Sequence, residues 1–117
     1  MALRIVVGSD DAGYEYKEAL KGDLNGDSRV GEVTDVGVGS DEDTAYPHVA
    51  VAAARLVAEG KADRALLVCP NGVGFMVGFF ACVLARVAAV PIMVPRRNSA
   101  RDSSAAIVAD CTPVLAL

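Results

Sequence analysis

The segment that most constrains the fold of this 117-residue chain runs from residue 64 to residue 75. A short apolar run at 65–68 reads as a strand that ends at Cys69, and a glycine-containing turn and a long apolar segment follow. Ligands bind at the carboxyl ends of strands in open parallel sheets, and a helix N-terminus attracts anions and activates thiols. Cys69 therefore lies where chemistry is expected, although a buried structural cysteine fits the same pattern equally well.

Apolar runs alternate with helical segments along the whole chain. The predicted strands are residues 3–7, 30–36, 65–68, 86–94 and 114–117. The predicted helices are residues 14–24, 46–58, 75–84 and 99–108. This alternation predicts one α/β domain over residues 1–117, a three-layer α/β/α sandwich around a parallel, Rossmann-like (flavodoxin-like) sheet of about five strands.

Composition narrows the functional class. Hydrophobic residues make up 53% of the chain and aromatic residues 5%, which predicts a core of Ala, Val and Leu. A net charge of −4 without a long Lys/Arg run argues against a nucleic-acid partner. Three cysteines without paired spacing indicate neither a disulfide framework nor a zinc site. The N-terminus reads as a strand rather than a signal peptide, so we expect a reducing, cytoplasmic setting.

The apolar segment at 75–95 is about as long as a membrane-spanning helix. Arg86 interrupts its middle, and Pro91 and Pro95 break its end. A buried helix that leads into a buried strand is the favoured interpretation, and no membrane partner is expected.

Polar residues after the predicted strands are the other candidates for a site. Ser9, Asp10 and Asp11 follow the first strand and could cap the next helix or contact a ligand. On that helix Lys17 is predicted to point outward, together with Glu15, Glu18 and Lys21. The acidic loop at 40–44 lacks the Gly and terminal Glu of a calcium loop, which favours a solvated loop. Arg96 and Arg97 either bind phosphate or are simply exposed.

Three ordered motifs carry a resemblance to a known family. Residues 7–14 with Lys17, residues 43–48 and residues 60–74 resemble the ribose-5-phosphate isomerase B family, which includes the galactose-6-phosphate isomerase subunits. That family interconverts aldose and ketose phosphates through an enediolate. The resemblance implies that the Cys69 thiolate is the base and that Asp10 binds sugar hydroxyls or assists ring opening. Backbone N–H groups at residues 72–74 would then hold the oxyanion.

The resemblance also implies a full set of site residues and partners. The catalytic residues would be Cys69 and Asp10, and the substrate-binding residues Ser9, Asp11, Tyr46, Asn71, Gly72, Gly74 and Arg86. Neither a metal nor another cofactor is implied. The partners would be a small sugar phosphate of the ribose 5-phosphate type and a second subunit, in a homodimer, a higher oligomer or a heteromer.

Departures from the family pattern leave an alternative open. Asp11 stands where His is commoner, and Pro70, which has no N–H to donate, stands where Gly is usual. The resemblance weakens after Gly74, and no His occurs near residues 109–110. The alternative is a catalytically degenerate subunit or binding domain whose apolar segment at 75–95 serves assembly. An unrelated flavodoxin-like binding domain fits the motifs less well.

Overall fold

The computed structural model of the chain describes residues 1–69, 72–86 and 115–116. Its elements are β1 (Leu3–Ser9), α1 (Tyr14–Gly26), β2 (Val30–Asp35), α2 (Tyr46–Ala58), β3 (Arg64–Val68), α3 (Gly72–Leu84) and β4 (Leu115–Ala116). The strands form one sheet in the order β2-β1-β3-β4, and every pairing is parallel. The predicted α/β class and parallel sheet are confirmed.

The strand order explains the layering. From β1 the chain moves to one side to form β2, and it then crosses to the other side of β1 to form β3. Right-handed crossovers place α1 and α2 on opposite faces of the sheet when the direction reverses in this way. Accordingly, α1 packs on β1 and β2, whereas α2 packs on β1 and β3 and is covered by α3.

Small side chains let α2 approach the sheet closely. Ala50, Ala53 and Ala54 of α2 are buried. A Cβ added at Gly8 of β1 would lie 2.6 Å from Val49 Cγ1, so glycine is the residue that fits this contact. The core is therefore the small aliphatic one that the composition predicts.

Several predicted boundaries differ from the structure. Helix α3 begins at Gly72, three residues before its predicted start, because the turn glycines form its first turn. Arg86, predicted to open a strand, lies in the turn after α3 with a φ of 57°, and residues 87–94 lie outside the described residues. The predicted helix at 99–108 and both Arg96 and Arg97 also lie outside them. No helix within the described residues is long and apolar enough to cross a membrane.

The predicted outward orientation of Lys17 is wrong. Its side chain is only 2% exposed, and its Nζ lies 2.8 Å from Asp35 Oδ2 at the end of β2. The first turn of α1 sits over that end of the sheet, so a side chain from this turn reaches a carboxylate instead of solvent. Burial of the ammonium group is tolerated because an opposite charge compensates it.

At the end of the sheet opposite Cys69, an ion pair joins β1 to the start of β3. The guanidinium of Arg4 in β1 donates to Asp63 just before β3, with an Nη2–Oδ1 distance of 2.7 Å. The side chain and then the backbone N–H of Arg4 lower the pKa of Asp63 from its usual 3.8 to about 2. A carboxyl group whose pKa is lower in the folded chain stabilises the fold above its unfolded pKa, and this contribution is lost as the pH falls.

Wild type should lose stability as the pH falls from about 4 to about 2, the interval between the usual and the folded pKa of Asp63. We expect Asp63→Asn to lose less stability over this interval, because it has no carboxyl group to protonate. Urea denaturation at a series of pH values measures it. Asp27→Asn is a matched control, because Arg29 also lowers the pKa of Asp27 to about 2. That pair is only two residues apart in sequence, so it can persist in the unfolded chain and its effect should be smaller. Equal effects of both variants would contradict this account.

Candidate active site

The ends of β1 and β3 bring Asp10 and Cys69 together. Ser9 and Val68 are paired in the sheet, and each strand then continues into one of these two residues. The Cys69 thiol donates a hydrogen bond to Asp10 Oδ2 at a Sγ–Oδ2 distance of 2.9 Å. Asp10 is 6% exposed and Cys69 is half-buried. The predicted catalytic pair therefore lies at the carboxyl edge of the sheet, in contact.

A neighbouring glycine holds the other oxygen of this carboxylate. Gly13 N–H donates to Asp10 Oδ1 at an N–O distance of 2.7 Å. A Cβ at Gly13 would lie 2.7 Å from the Val68 carbonyl oxygen and 3.0 Å from Asp10 Oδ1. Glycine at position 13 thus lets the start of α1 approach both Asp10 and β3. Gly13 lies within the sequence motif at residues 7–14, but nothing in that motif indicates the contact with Val68.

Tyr46, the first residue of α2, lies beside the pair. It is 8% exposed, and burial raises its pKa strongly. Negative charge on Cys69 or Asp10 also raises this pKa. Cys69 packs against the core cluster that contains Tyr46. Among the predicted substrate-binding residues, Tyr46 is therefore one that the structure brings to the catalytic pair.

Two predicted binding residues flank Asp10 in the chain but differ in exposure. Asp11 is exposed on the loop between β1 and α1. Ser9 is fully buried, and its hydroxyl has no hydrogen-bond partner within the part of the chain that the structure describes. Direct contact between Ser9 and a ligand thus needs a rearrangement, and its binding role stays a prediction.

The burial of Ser9 predicts the effect of removing its hydroxyl. A buried hydroxyl without a partner costs about 1–3 kcal/mol of desolvation free energy. We therefore expect Ser9→Ala to leave the free energy of unfolding equal or higher, as measured by urea denaturation. A loss of stability of more than about 1 kcal/mol would show that the hydroxyl has a partner in the folded protein.

Three more of the predicted binding residues lie on or next to α3. Gly72 and Gly74 are in its first turn, where N–H groups have no partner within a helix. Asn71 lies outside the described residues. Arg86 follows the other end of α3, about 20 Å along the axis from Gly72 at 1.5 Å per residue. The helix does not bring Arg86 to Cys69 within one chain, so its role also stays a prediction.

A carboxylate of the acidic loop before α2 accepts hydrogen bonds from within the same loop. Glu42 accepts hydrogen bonds from Gly39 N–H and from the Thr44 hydroxyl. These hydrogen bonds lower the pKa of Glu42. Within residues 1–69 and 72–86, no group of at least three His, Cys, Asp or Glu side chains could hold a metal ion. The loop therefore uses this carboxylate to fix its own conformation.

Comparison with known proteins shows the family. A sequence model of the Ribose/Galactose Isomerase family matches residues 5–94. The chain belongs to the ribose/galactose isomerase family. The matched region runs from within β1 to beyond the end of α3, and thus includes both members of the Cys69–Asp10 pair.

Two members of the ribose/galactose isomerase family illustrate the relationship. The chain is 63% identical over 75 residues to D-erythrulose-4-phosphate isomerase 2 of Mycolicibacterium smegmatis, a match that covers 63% of the chain and 49% of that protein. It is 37% identical over 103 residues to ribose-5-phosphate isomerase B of Escherichia coli, covering 86% of the chain and 68% of that protein. The part of the chain that matches the mycobacterial relative thus spans about half of that protein's length.

Solved structures of ribose/galactose isomerase family proteins share the fold. A ribose 5-phosphate isomerase of Thermotoga maritima superposes with a TM-score of 0.75 at 25% identity, covering 99% of this chain and 73% of that one. The type B ribose 5-phosphate isomerase of Trypanosoma brucei gives a TM-score of 0.75 at 24% identity, covering 99% and 72%. The Rossmann-like fold predicted from the sequence is therefore that of the family.

Proposed function

We propose that this protein interconverts the aldose and ketose forms of a small sugar phosphate, with Cys69 as the base. The observation that carries the proposal is the 2.9 Å hydrogen bond between Cys69 Sγ and Asp10 Oδ2. It lies at the carboxyl ends of adjacent parallel strands, in a chain that belongs to an isomerase family. Ligands of open α/β sheets bind at this edge.

The geometry gives Asp10 a role in positioning the thiol. Cys69 Sγ donates to Asp10 Oδ2, while Gly13 N–H holds the other carboxylate oxygen. A neighbouring negative charge opposes ionisation of a thiol, so the thiolate forms when the thiol proton passes to solvent. Asp10 is therefore proposed to orient Cys69 and to accept hydrogen bonds from the sugar hydroxyls.

The proposed reaction proceeds by two proton transfers at carbon. The Cys69 thiolate removes the proton from C2 of the open-chain aldose, and the C–H electron pair forms a C1–C2 double bond. The carbonyl π electrons move to O1, which gives an enediolate. The Cys69 thiol then returns the proton to C1, and the O2 hydroxyl proton passes to O1. The product is the ketose, and the thiolate is restored.

Helix α3 supplies the groups that would stabilise the enediolate. Its first turn contains Gly72 and Gly74, three and five residues after Cys69. N–H groups in a first helical turn lack intrahelical partners and carry the positive end of the helix dipole. Donors that are already fixed where negative charge develops lower the barrier most. These two glycines are therefore proposed as the oxyanion-binding segment.

The relatives suggest a substrate of four or five carbons. The name of the mycobacterial relative specifies D-erythrulose 4-phosphate, and that of the Escherichia coli relative specifies ribose 5-phosphate. We propose the four-carbon substrate, because the identity to the mycobacterial protein is higher. One carbon more or less in a pocket changes kcat/KM by roughly 10- to 200-fold.

NMR of purified protein incubated with each sugar phosphate tests the proposal by following the ratio of ketose to aldose. The four-carbon substrate is expected to have a kcat/KM at least about 10-fold above that of ribose 5-phosphate. The opposite preference would overturn the choice of substrate. Failure to convert either compound by a folded protein would overturn the proposed activity of this chain.

Exposed apolar side chains on α3 favour an additional role in assembly, which is the second candidate function. The exposed residues of this helix are Val73, Phe75, Met76, Phe79, Phe80, Val83 and Leu84. A contiguous exposed apolar patch marks an interaction surface. We propose that a second copy of the chain covers this face.

Sedimentation at micromolar concentration tests the assembly proposal. Phe80→Glu introduces a charge at a position that is 55% exposed and is expected to yield monomers from a dimeric wild type. Tyr16→Glu on α1, at a position that is 67% exposed, is the control and should leave the dimer intact. A monomeric wild type would contradict the proposal.

A further inference from the structure

A buried lysine outside the catalytic pair connects two loops of the site. Lys17 is 1% exposed, and its Nζ donates to both carboxylate oxygens of Asp35 at 2.8 and 2.9 Å. Asp35 is the last residue of β2, whereas Lys17 lies in the first turns of α1. A fully buried ammonium group loses its hydration, so its burial is stable only where a fixed partner of opposite charge compensates it.

One end of this connection leads to Asp10 through α1. Lys17 N–H donates to the Gly13 carbonyl oxygen at 2.9 Å, and Gly13 N–H donates to Asp10 Oδ1 at 2.7 Å. The backbone of Lys17 is therefore one hydrogen bond away from the residue that holds the Asp10 carboxylate. Any movement of the start of α1 moves this carboxylate relative to Cys69.

The other end leads to Asp10 through the loop after β2. Asp35 Oδ1 accepts a hydrogen bond from Gly37 N–H at 2.9 Å. The Gly37 carbonyl then accepts from Ser9 N–H at 2.8 Å, and Ser9 precedes Asp10 in the chain. The contacts thus form a closed ring in which the Lys17–Asp35 ion pair is the side-chain link between the two loops.

We infer that Lys17 is a positioning residue, whose ion pair with Asp35 holds the Asp10 carboxylate against the Cys69 thiol. The inference rests on the proposed function for its effect on turnover, but its effect on the thiol can be measured without turnover. Without the ion pair, Asp10 leaves its position 2.9 Å from the sulfur. The thiol then loses a neighbouring negative charge that opposes its ionisation, and it reacts faster with an alkylating agent.

Alkylation of Cys69 by iodoacetamide at neutral pH, followed by fragment-ion mass spectrometry, tests the inference. Fragment ions are needed because Cys82 lies in the same tryptic peptide. Lys17→Met keeps the length of the side chain and removes its charge. We expect it to speed Cys69 alkylation by about 5-fold or more, because the charged neighbour of the thiol is displaced. Lys17→Arg restores the charge and should return the rate towards that of wild type.

Lys21→Met is the matched control. Lys21 lies on the same helix and its Nζ is 2.7 Å from the same Asp35 oxygen, but its side chain is 28% exposed and Lys17 remains in place. Its alkylation rate should stay within about 2-fold of wild type, since solvent screens an exposed charge. Equal acceleration in both variants would show a general effect of charge and overturn the positioning role. A wild-type rate in folded Lys17→Met would also overturn it.

A further variant keeps the test decisive if Lys17→Met does not fold. Asp35→Asn removes the charge of the partner at a side chain that is 26% exposed, and its amide oxygen can still accept from Gly37. It should also accelerate alkylation of Cys69, and an unchanged rate would contradict the inference.

In the turnover assay Lys17→Met and Asp35→Asn should each lower kcat by about 10-fold or more with little change in KM, as expected for a misplaced catalytic group. Absence of turnover in wild type would refute the proposed function, while the alkylation comparison would still decide the role of Lys17.

Discussion

Replacement of Cys69 by serine should lower turnover by at least about 1000-fold, which is within the usual range for loss of a general base. A serine hydroxyl ionises far less readily than a thiol, so it cannot provide an equivalent base. The hydroxyl can still donate to Asp10 Oδ2, and Cys69 is half-buried. The midpoint of urea denaturation should therefore stay close to that of wild type.

Cys82→Ala is the control for the Cys69 variant. Cys82 is fully buried in α3 and belongs to the hydrophobic core. Its truncation should cost about 1 kcal/mol of stability and change turnover only a few-fold. If Cys69→Ser retained more than a tenth of wild-type turnover, Cys69 would not be the base.

Gly13→Ala should have the second-largest effect, a loss of turnover of about 100-fold. A displacement of the Asp10 carboxylate by up to about 1 Å is enough to cause a loss of this size. The new Cβ would lie 2.7 Å from the Val68 carbonyl oxygen and 3.1 Å from Val68 Cγ1. Backbone atoms cannot move aside as a flexible side chain can, so the start of α1 has to shift. That shift breaks the hydrogen bond from Gly13 N–H to Asp10 and moves the carboxylate away from Cys69.

Gly22→Ala is the matched control on the same helix. No heavy atom lies within 4 Å of a Cβ placed at Gly22. Alanine there should raise stability by up to about 1 kcal/mol, because it is a better helix former than glycine, and leave turnover unchanged. Wild-type turnover in Gly13→Ala would show that the position of Asp10 does not depend on the close contact at residue 13.

Much of the fold could be predicted from local patterns. The apolar runs that form β1 and β3 are buried between helices, which is the arrangement that produces continuous apolar stretches in a parallel sheet. The same patterns place Asp10 and Cys69 directly after two of the predicted strands. Pairing of Ser9 with Val68 in the sheet then determines that these two side chains meet.

Features that depend on distant contacts could not be predicted in the same way. Lys17 looks like one of several charged residues on an exposed helix face, and only the position of α1 over the end of β2 brings it to Asp35. The close contact at Gly13 likewise depends on Val68, which is far away in sequence. The start of α3 at Gly72 was missed because glycines usually end helices rather than begin them.

Deuterium incorporation tests the central claim, that the Cys69–Asp10 pair moves a proton at carbon, most directly. Wild-type protein in D₂O is incubated with erythrose 4-phosphate and with ribose 5-phosphate, and the C2 proton signal of each aldose is followed by NMR. The account predicts that this signal is lost with wild type and persists with Cys69→Ser, even if net conversion is slow. Persistence with folded wild type for both compounds, or equal loss with Cys69→Ser, would contradict the account.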